Sequence, residues 1–294
     1  MSWRIVYVES ETTLQLFLDN LKVINHDDEL LIPLSDIHTV ILDNYKILLS
    51  VQLINQFSHN NINVVICDLA HLPKTLIMPI NGHSLSPLIL KNQIAWDEDI
   101  KKEVHQKIVT NKIRNQAAVL RHFNCNTDVI AAVLKFSEEV SVGDATNREG
   151  LASKMYFREL FGKDFIRFNE DILNAGLNYG YAILRSLISK SVVAKGLHPS
   201  IGVFHIGRNN PYNLSDDIIE VYRPIIDVWV KNNLMDEKIF IKEHRLELIK
   251  QTLTSVVISN KKQTLFNGIN IFVDNLIRIF SSSIDEYEET ELIL

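Results

Sequence analysis

Four side chains in three separate segments have the types that hold a hard metal ion: Glu149 in NREG, His205 in GVFH, and Asp217 and Glu220 in SDDIIEVYRP. Carboxylate oxygens suit Mg²⁺ or Mn²⁺. A neutral imidazole adds a nitrogen donor and tilts the choice toward Mn²⁺. An ion held this way polarises a phosphoryl oxygen and offsets charge as phosphorus is attacked. The chemistry indicated is metal-dependent work on phosphodiesters.

Each residue also has a plainer reading. Thr146 to Glu149 matches a capping box, in which Glu149 closes a helix N-terminus. His205, in IGVFHIG, also reads as a half-buried core histidine, and His198 in GLHPS competes with it as a ligand. Asp217 and Glu220 stand at i and i+3 on one expected helical face, which Arg223 extends. They also read as an acidic first turn with Asp216, stabilised by the helix dipole. Asn213 to Asp216 supply an expected cap. Pro224 interrupts the interior of that helix, because it cannot donate to the Glu220 carbonyl and its ring presses on the preceding turn.

A second polar cluster lies in NAGLNYGYAILRS. Asn174 and Asn178 are four apart and share a helical face, and Tyr181 is three beyond Asn178. They read either as groups that orient phosphates or the metal shell, or as a helix crossing with Gly180 at the close approach. The chain has no GxxxxGK[ST], no HExxH and no GxSxG, which weakens nucleotide-hydrolase, zinc-protease and serine-hydrolase readings.

The elements that must carry these residues follow from periodicity. WRIVYVES, TLQLFLDN, LKVINHD, DELLIPL, HTVILDN and NINVVICD are short apolar runs with polar breaks, read as strands. LSVQLINQFSHN between the last two has helical spacing, with Leu49, Leu53, Ile54 and Phe57 on one side. The pattern switches near Pro87. Trp96 to Phe123 lacks Gly and Pro and has three- and four-residue apolar spacing, so it predicts a long helix. Further helices are predicted over TDVIAAVLKFSEEV, NREGLASKMYFREL, DILNAG through VVAKG, SDDIIEVYRPIIDVWVKNNL, HRLELIKQTLTSVVI and LFNGINIFVDNLIRIFSS. The expected fold class is α+β: a β-rich domain over 1–90, then a larger all-helical catalytic domain over 91–294.

Composition bounds the rest. The chain has 294 residues, 46% of them hydrophobic, with 7 prolines and 10 glycines, so most of it should pack into a core. Net charge is -6, from 30 basic against 36 acidic residues. Residues 281–294 hold five of the acids and no base. Any DNA surface must then be a local basic patch. Two cysteines suggest neither a disulfide framework nor a cysteine metal site. The N-terminus has no signal-peptide pattern and no apolar run is long enough for a membrane span. A cytoplasmic protein is expected, with no membrane partner.

Taken in order, NREGxxxxxYF at 147–157, NAGLNYGYAIL at 174–184, GLHPSIGVFH at 196–205 and SDDIIEVYRPIID at 215–227 resemble the four blocks of the CRISPR-associated integrase, the universal first Cas protein of spacer acquisition. Length, NREG and the acidic C-terminus look closest to the type II branch, whose effector is one large nuclease. The resemblance implies Mg²⁺ or Mn²⁺ held by Glu149, His205 and Glu220. Asp217 matches a fourth acidic position near the metal, and Asn178 and Arg223 match polar positions lining the pocket. It also implies a homodimer, with dimerisation placed in the β-rich domain, and a small companion adaptation protein. Its other implied partners are double-stranded DNA (prespacer and CRISPR repeat), the type II effector nuclease and a ring-shaped accessory protein. The activity implied is insertion of short foreign DNA into the array by 3′-hydroxyl attack. His198 departs from the family pattern, where an acidic or small polar residue often precedes the proline.

DNA contacts are expected at Arg148, Arg158, Lys163 and Arg167, which lie at or soon after Glu149. The basic run on the long helix (Lys101, Lys102, Lys107, Lys112, Arg114, Arg121) interleaves with acids and reads as a solvated surface. A nuclease that only hydrolyses branched or duplex DNA would use the same ligands. A non-catalytic DNA scaffold would tolerate their loss.

Overall fold

The computed structural model describes residues 4–25, 28–80 and 82–294. The chain separates into two compact units. One comprises residues 1–87 with 193–197, the other 88–192 with 198–294. The architecture is α+β, with a mixed-sheet N-terminal region and a larger helix-rich remainder.

The first unit is built from β1 (Arg4–Val8), β2 (Thr13–Phe17), β3 (Asn20–Asn25), β4 (Asp28–Pro33), β5 (Ile37–Leu42), β6 (Leu48–Leu49), α1 (Val51–His59), β7 (Asn63–Cys67) and β8 (Pro73–Ile77). One sheet has the order β1-β5-β7-β8, with β1, β5 and β7 parallel and β8 antiparallel. The other has the order β4-β3-β2-β6. All six residues of β5 are buried, as expected of a strand covered on both faces. Ser50 caps α1 by accepting from the Leu53 N–H, and Leu53 and Phe57 bury its apolar face against Leu14, Leu21, Val40 and Val64.

The second unit follows α2 (Ser86–Ile94), a helix that spans the division between the two. It contains α3 (Glu98–His122), α4 (Thr127–Glu138), α5 (Arg148–Phe161), α6 (Ile172–Ala194, whose last two residues count with the first unit), α7 (Asn213–Ile219), α8 (Arg223–Asn233), α9 (Lys242–Lys250), β9 (Ser255–Ile258), β10 (Lys261–Thr264), α10 (Leu265–Ile279) and β11 (Thr290–Leu292). The helix α6 is buried nearly all round, as a central helix must be. Gly176 and Gly180 on it face α8, and a methyl at either would overlap Leu234 or Ile226.

Two local expectations change, and the acidic tail finds a place. The single helix predicted over 215–234 is two, because Pro224 stands in the first turn of α8, next to its first residue Arg223, rather than kinking a continuous helix. TSVVI is not helical: it forms β9, at the centre of a three-stranded sheet ordered β10-β9-β11, so the helix-rich unit is not all-helical. The acidic tail is docked, since β11 pairs with β9 and Thr290 exchanges two hydrogen bonds with Asn111 on α3 (both 2.9 Å).

Candidate active site

Glu149 sits in the first turn of α5, but it is not the capping residue. Asn147, in the left-handed region at φ 52°, accepts from the Gly150 N–H, and the Asp144 carboxylate accepts from the Arg148 and Glu149 N–H groups at 2.8 and 3.0 Å. The Glu149 side chain is thereby free to turn toward α3, where its Oε1 lies 2.6 Å from the Lys112 ammonium.

Glu220 stands at the break between α7 and α8. The break is stabilised from α3, where Asn115 donates to the Val221 carbonyl at 3.0 Å. Glu220 Oε2 lies 2.5 Å from the same Lys112 ammonium, and Oε1 lies 3.0 Å from Arg223. Two carboxylates from different helices therefore meet at one cationic centre. Burial works against ionisation of Glu220, but Arg223 and Lys112 outweigh it and hold the carboxyl well below its usual range. Burial likewise works against the Lys112 charge, and Glu220 and Glu149 overcome it to raise that pKa.

His205 lies on the loop after α6, and α7 shapes that loop. Asn213 donates to the Ser200 and Gly207 carbonyls and accepts from the Gly207 N–H. One turn later Asp217 accepts from the Val203 N–H (2.6 Å), the Phe204 N–H (3.2 Å) and the His205 N–H (3.0 Å), and contacts His205 Nδ1 at 2.7 Å. Gly202 makes room for this, since a Cβ there would stand 2.8 Å from Asp217 Oδ2. A carboxylate only accepts, so Nδ1 carries the hydrogen and Nε2 is left as the electron-pair donor. That bond is the first cause of a raised His205 pKa, against the opposing effect of burial. Asp217 thus orients the histidine: the oxygens expected beside a metal are committed to the loop.

Arg223 and Arg167 stack over the same Tyr181 ring, at 4.8 and 5.3 Å. Arg167 also donates to Asn174 Oδ1 (2.9 Å) and Asn178 Oδ1 (2.8 Å). Asn178 therefore reaches Glu220 through Arg167, Tyr181 and Arg223. Beneath them Asp227 is buried and accepts from the Tyr156 and Tyr181 hydroxyls. Burial pushes its carboxyl up to about 6 despite those bonds. Of the other basic candidates, Arg148 pairs with Glu139 at 3.2 Å and packs over Phe136, whereas Arg158 and Lys163 are exposed. His198 is exposed and turned to Ser200 Oγ at 2.7 Å.

Two neighbours on α3 escaped sequence reasoning. Lys112, expected on a solvated face, has an ammonium-bearing side chain only 11% exposed. His105 is buried and stacks on Phe204, with ring centroids 3.6 Å apart. The available signal was position: Lys112 follows Ile108 by four and precedes Gln116 by four, on the face that α3 buries.

The donor chemistry fits a divalent cation. Two carboxylates converge on a cation, an oriented imidazole lies within electrostatic reach of Glu220, and Glu220 Oε2 is buried with no partner at hydrogen-bonding angle. The spacing is that of a site closed on an ammonium. Among the described residues no three His, Cys, Asp or Glu side chains stand close enough to hold a metal ion. No described helix is long and apolar enough to cross a membrane.

A β-rich unit is thus followed by a helix-rich unit in which carboxylates from two helices meet on one lysine and a third carboxylate orients a histidine. The sequence profile described as "CRISPR associated protein Cas1" matches residues 6–259, and the chain belongs to that family. It is 34% identical over 231 residues to the CRISPR-associated endonuclease Cas1 of Neisseria meningitidis serogroup C (strain 8013), covering 78% of this chain and 75% of that protein. It is 27% identical over 283 residues to a second such protein from Francisella tularensis subsp. novicida (strain U112), covering 88% and 87%. The fold matches a casposase bound to integration product (TM-score 0.76, 20% identity, 98% of this chain and 94% of that one). It equally matches a Cas1 protein from Thermotoga maritima (TM-score 0.76, 17% identity, 96% and 98%). A Cas6-RT-Cas1–Cas2 complex contains the same fold (TM-score 0.71, 18% identity, 95% of this chain and 35% of that one).

Proposed function

We propose that the chain is a divalent-metal-dependent DNA integrase of CRISPR adaptation, in an antiviral defence system. The observation that carries this reading is the convergence of Glu149 and Glu220 on one cation position, with the oriented His205 within electrostatic reach of Glu220, in a member of this family. Glu149, Glu220 and His205 Nε2 would hold Mg²⁺ or Mn²⁺. When bound, such an ion supplies Lewis-acid polarisation of the scissile phosphoryl group. The side chains supply placement. Asp217 fixes the imidazole, Arg223 fixes Glu220 through its stack on Tyr181, and Asn178 fixes Arg167 beside the same ring. The 3′-hydroxyl of the incoming DNA loses its proton as it attacks phosphorus, its P–O bond forms while the P–O bond to the 3′-oxygen of the target strand breaks, and that departing oxygen takes up a proton, so protons and phosphodiester bonds balance. No protein nucleophile is required.

The proposed setting is a cytoplasmic homodimer joined through the β-rich domain (1–90), with the helical catalytic domain (91–294) acting on prespacer and repeat DNA. The small companion adaptation protein is the proposed partner. Support comes from the solved complex whose fold this chain shares, which holds Cas1 and Cas2 together. NREG and the acidic tail support the type II branch, and with it the effector nuclease and the ring-shaped accessory protein. Exposed Arg158 and Lys163, with Arg148 and Arg167, are the proposed DNA contacts.

The test is a labelled branched DNA that mimics a half-integrated spacer, with Mn²⁺ or Mg²⁺, comparing wild type with Glu220→Ala. Metal-dependent rejoining of strands, lost in the variant, is expected. Cleavage without joining would make the chain a nuclease, the reading its named relatives favour. Equal function of both proteins would make it a scaffold.

A further inference from the structure

We propose that the Lys112 ammonium is the resident cation of the Glu149–Glu220 site, and that a divalent ion binds there by displacing it. The inference rests on the metal reading above and assigns this lysine a role that the four sequence blocks do not contain.

Charge makes the first argument. Glu149 and Glu220 are already matched by Lys112 and Arg223, so the cluster is neutral as it stands. Its centre is also buried: Lys112 and Glu220 are buried, with Glu149 and Arg223 half-buried around them. A divalent ion added to that set would leave surplus positive charge in a desolvated site, which is costly. One of the two cations has to leave.

Geometry says which. Arg223 is anchored three ways. It begins α8, stacks on Tyr181 at 4.8 Å and pairs with Glu220 at 3.0 Å. Lys112 carries its charge at the end of a flexible four-carbon stem and meets both carboxylates as a compact point charge. Distance makes the third argument. The oxygens stand 2.5 and 2.6 Å from Nζ, whereas oxygen ligands close to about 2.1 Å around Mg²⁺. Both carboxylates are closed on the ammonium, and among the described residues no three His, Cys, Asp or Glu side chains stand close enough to hold a metal ion. The lysine keeps two acidic side chains together until an ion arrives, at the cost of competing with that ion for both of them.

Calorimetric and EPR titration of Mn²⁺ into wild type, Lys112→Gln and Glu149→Gln tests this. Lys112→Gln is expected to bind Mn²⁺ about tenfold more tightly than wild type, because the competing cation is gone, and Glu149→Gln to lose the site. A second readout needs no variant: mass spectrometry of amine labelling at Lys112, referenced to the exposed Lys102. Labelling is expected to be low without metal and to rise severalfold with saturating Mn²⁺. Unchanged or weaker Mn²⁺ affinity in a folded Lys112→Gln, or Lys112 labelling that does not rise when Mn²⁺ binds, overturns the displacement. If Glu149→Gln then still abolishes binding, the metal site survives without it. Failure of wild type and both variants to bind Mn²⁺ overturns the displacement and the metal reading together. Should Lys112→Gln not fold, the labelling result alone decides.

Discussion

Replacing Asp217 by asparagine is nearly isosteric, yet it should disable the histidine. In the native protein one oxygen accepts from the Val203 and Phe204 N–H groups, and the other from the His205 N–H and ring Nδ1. Every partner is a donor. An asparagine amide must turn its NH₂ toward one pair or the other. In one orientation it opposes two backbone donors. In the flipped orientation it opposes the imidazole Nδ1–H, and drives the ring to the tautomer in which Nε2 carries the hydrogen and cannot be a ligand. Hydrogen bonds to a charged group contribute about 1.5–3 kcal/mol each, and donors left unpaired cost a further increment. Partial solvation of the loop recovers some of this, so a loss of about 3 kcal/mol is expected in urea unfolding. Loss of an outer partner that orients a ligating histidine typically weakens metal binding by about 10–100-fold, and calorimetric titration with Mn²⁺ should show that loss. Stability within about 0.5 kcal/mol of wild type, or Mn²⁺ affinity within twofold, would refute the reasoning. Lost stability with intact affinity would reduce Asp217 to a loop staple.

Gly202→Ala should act on the same loop from the other side. Its Cβ would crowd Asp217 Oδ2 and Asn213 Cβ, at 2.8 and 3.0 Å. A cost of about 1–3 kcal/mol is expected, with weaker Mn²⁺ binding; an unchanged urea midpoint would show that the loop has room. Asp227 predicts a pH effect. Its folded pKa is raised to about 6, so the native state keeps a proton that the unfolded chain releases. That contribution to stability is complete below about pH 4 and is lost as pH rises through about 6, amounting to roughly 3 kcal/mol in full. Wild type should therefore lose stability relative to Asp227→Asn between pH 5 and 7.5, and parallel profiles would contradict this. Replacing exposed Arg158 and Lys163 with alanine should weaken binding to unrelated duplexes alike and flatten its salt dependence by about one to two counterions. A sequence-selective loss, or none, would remove them from the DNA surface.

The parts of this site that were legible in the sequence are those held by local chemistry. Gly202 before His205, Asn213 and Asp217 one helical turn apart, and Pro224 just after Glu220 each leave a signature within a few residues of what they position. Pro224 does not by itself fix its consequence, because a proline in an apolar helical pattern signals a kink and a break alike. Which one forms depends on who satisfies the freed carbonyls, and here Asn115 arrives from α3 to do it. The same logic explains β9. An apolar run such as TSVVI after a helix is ambiguous by periodicity, and its partners, Lys261–Thr264 and Thr290–Leu292, are supplied by later segments. Lys112 is the extreme case. Nothing near it in the chain pairs with it, and α3 also carries local ion pairs of Lys101 with Glu98 and of exposed Lys102 with Asp99. A lysine at a core position is tolerated only if acids from elsewhere meet it. Its placement on the buried face of α3, four residues after Ile108, signals that a counter-charge comes from elsewhere in the chain, without saying from where.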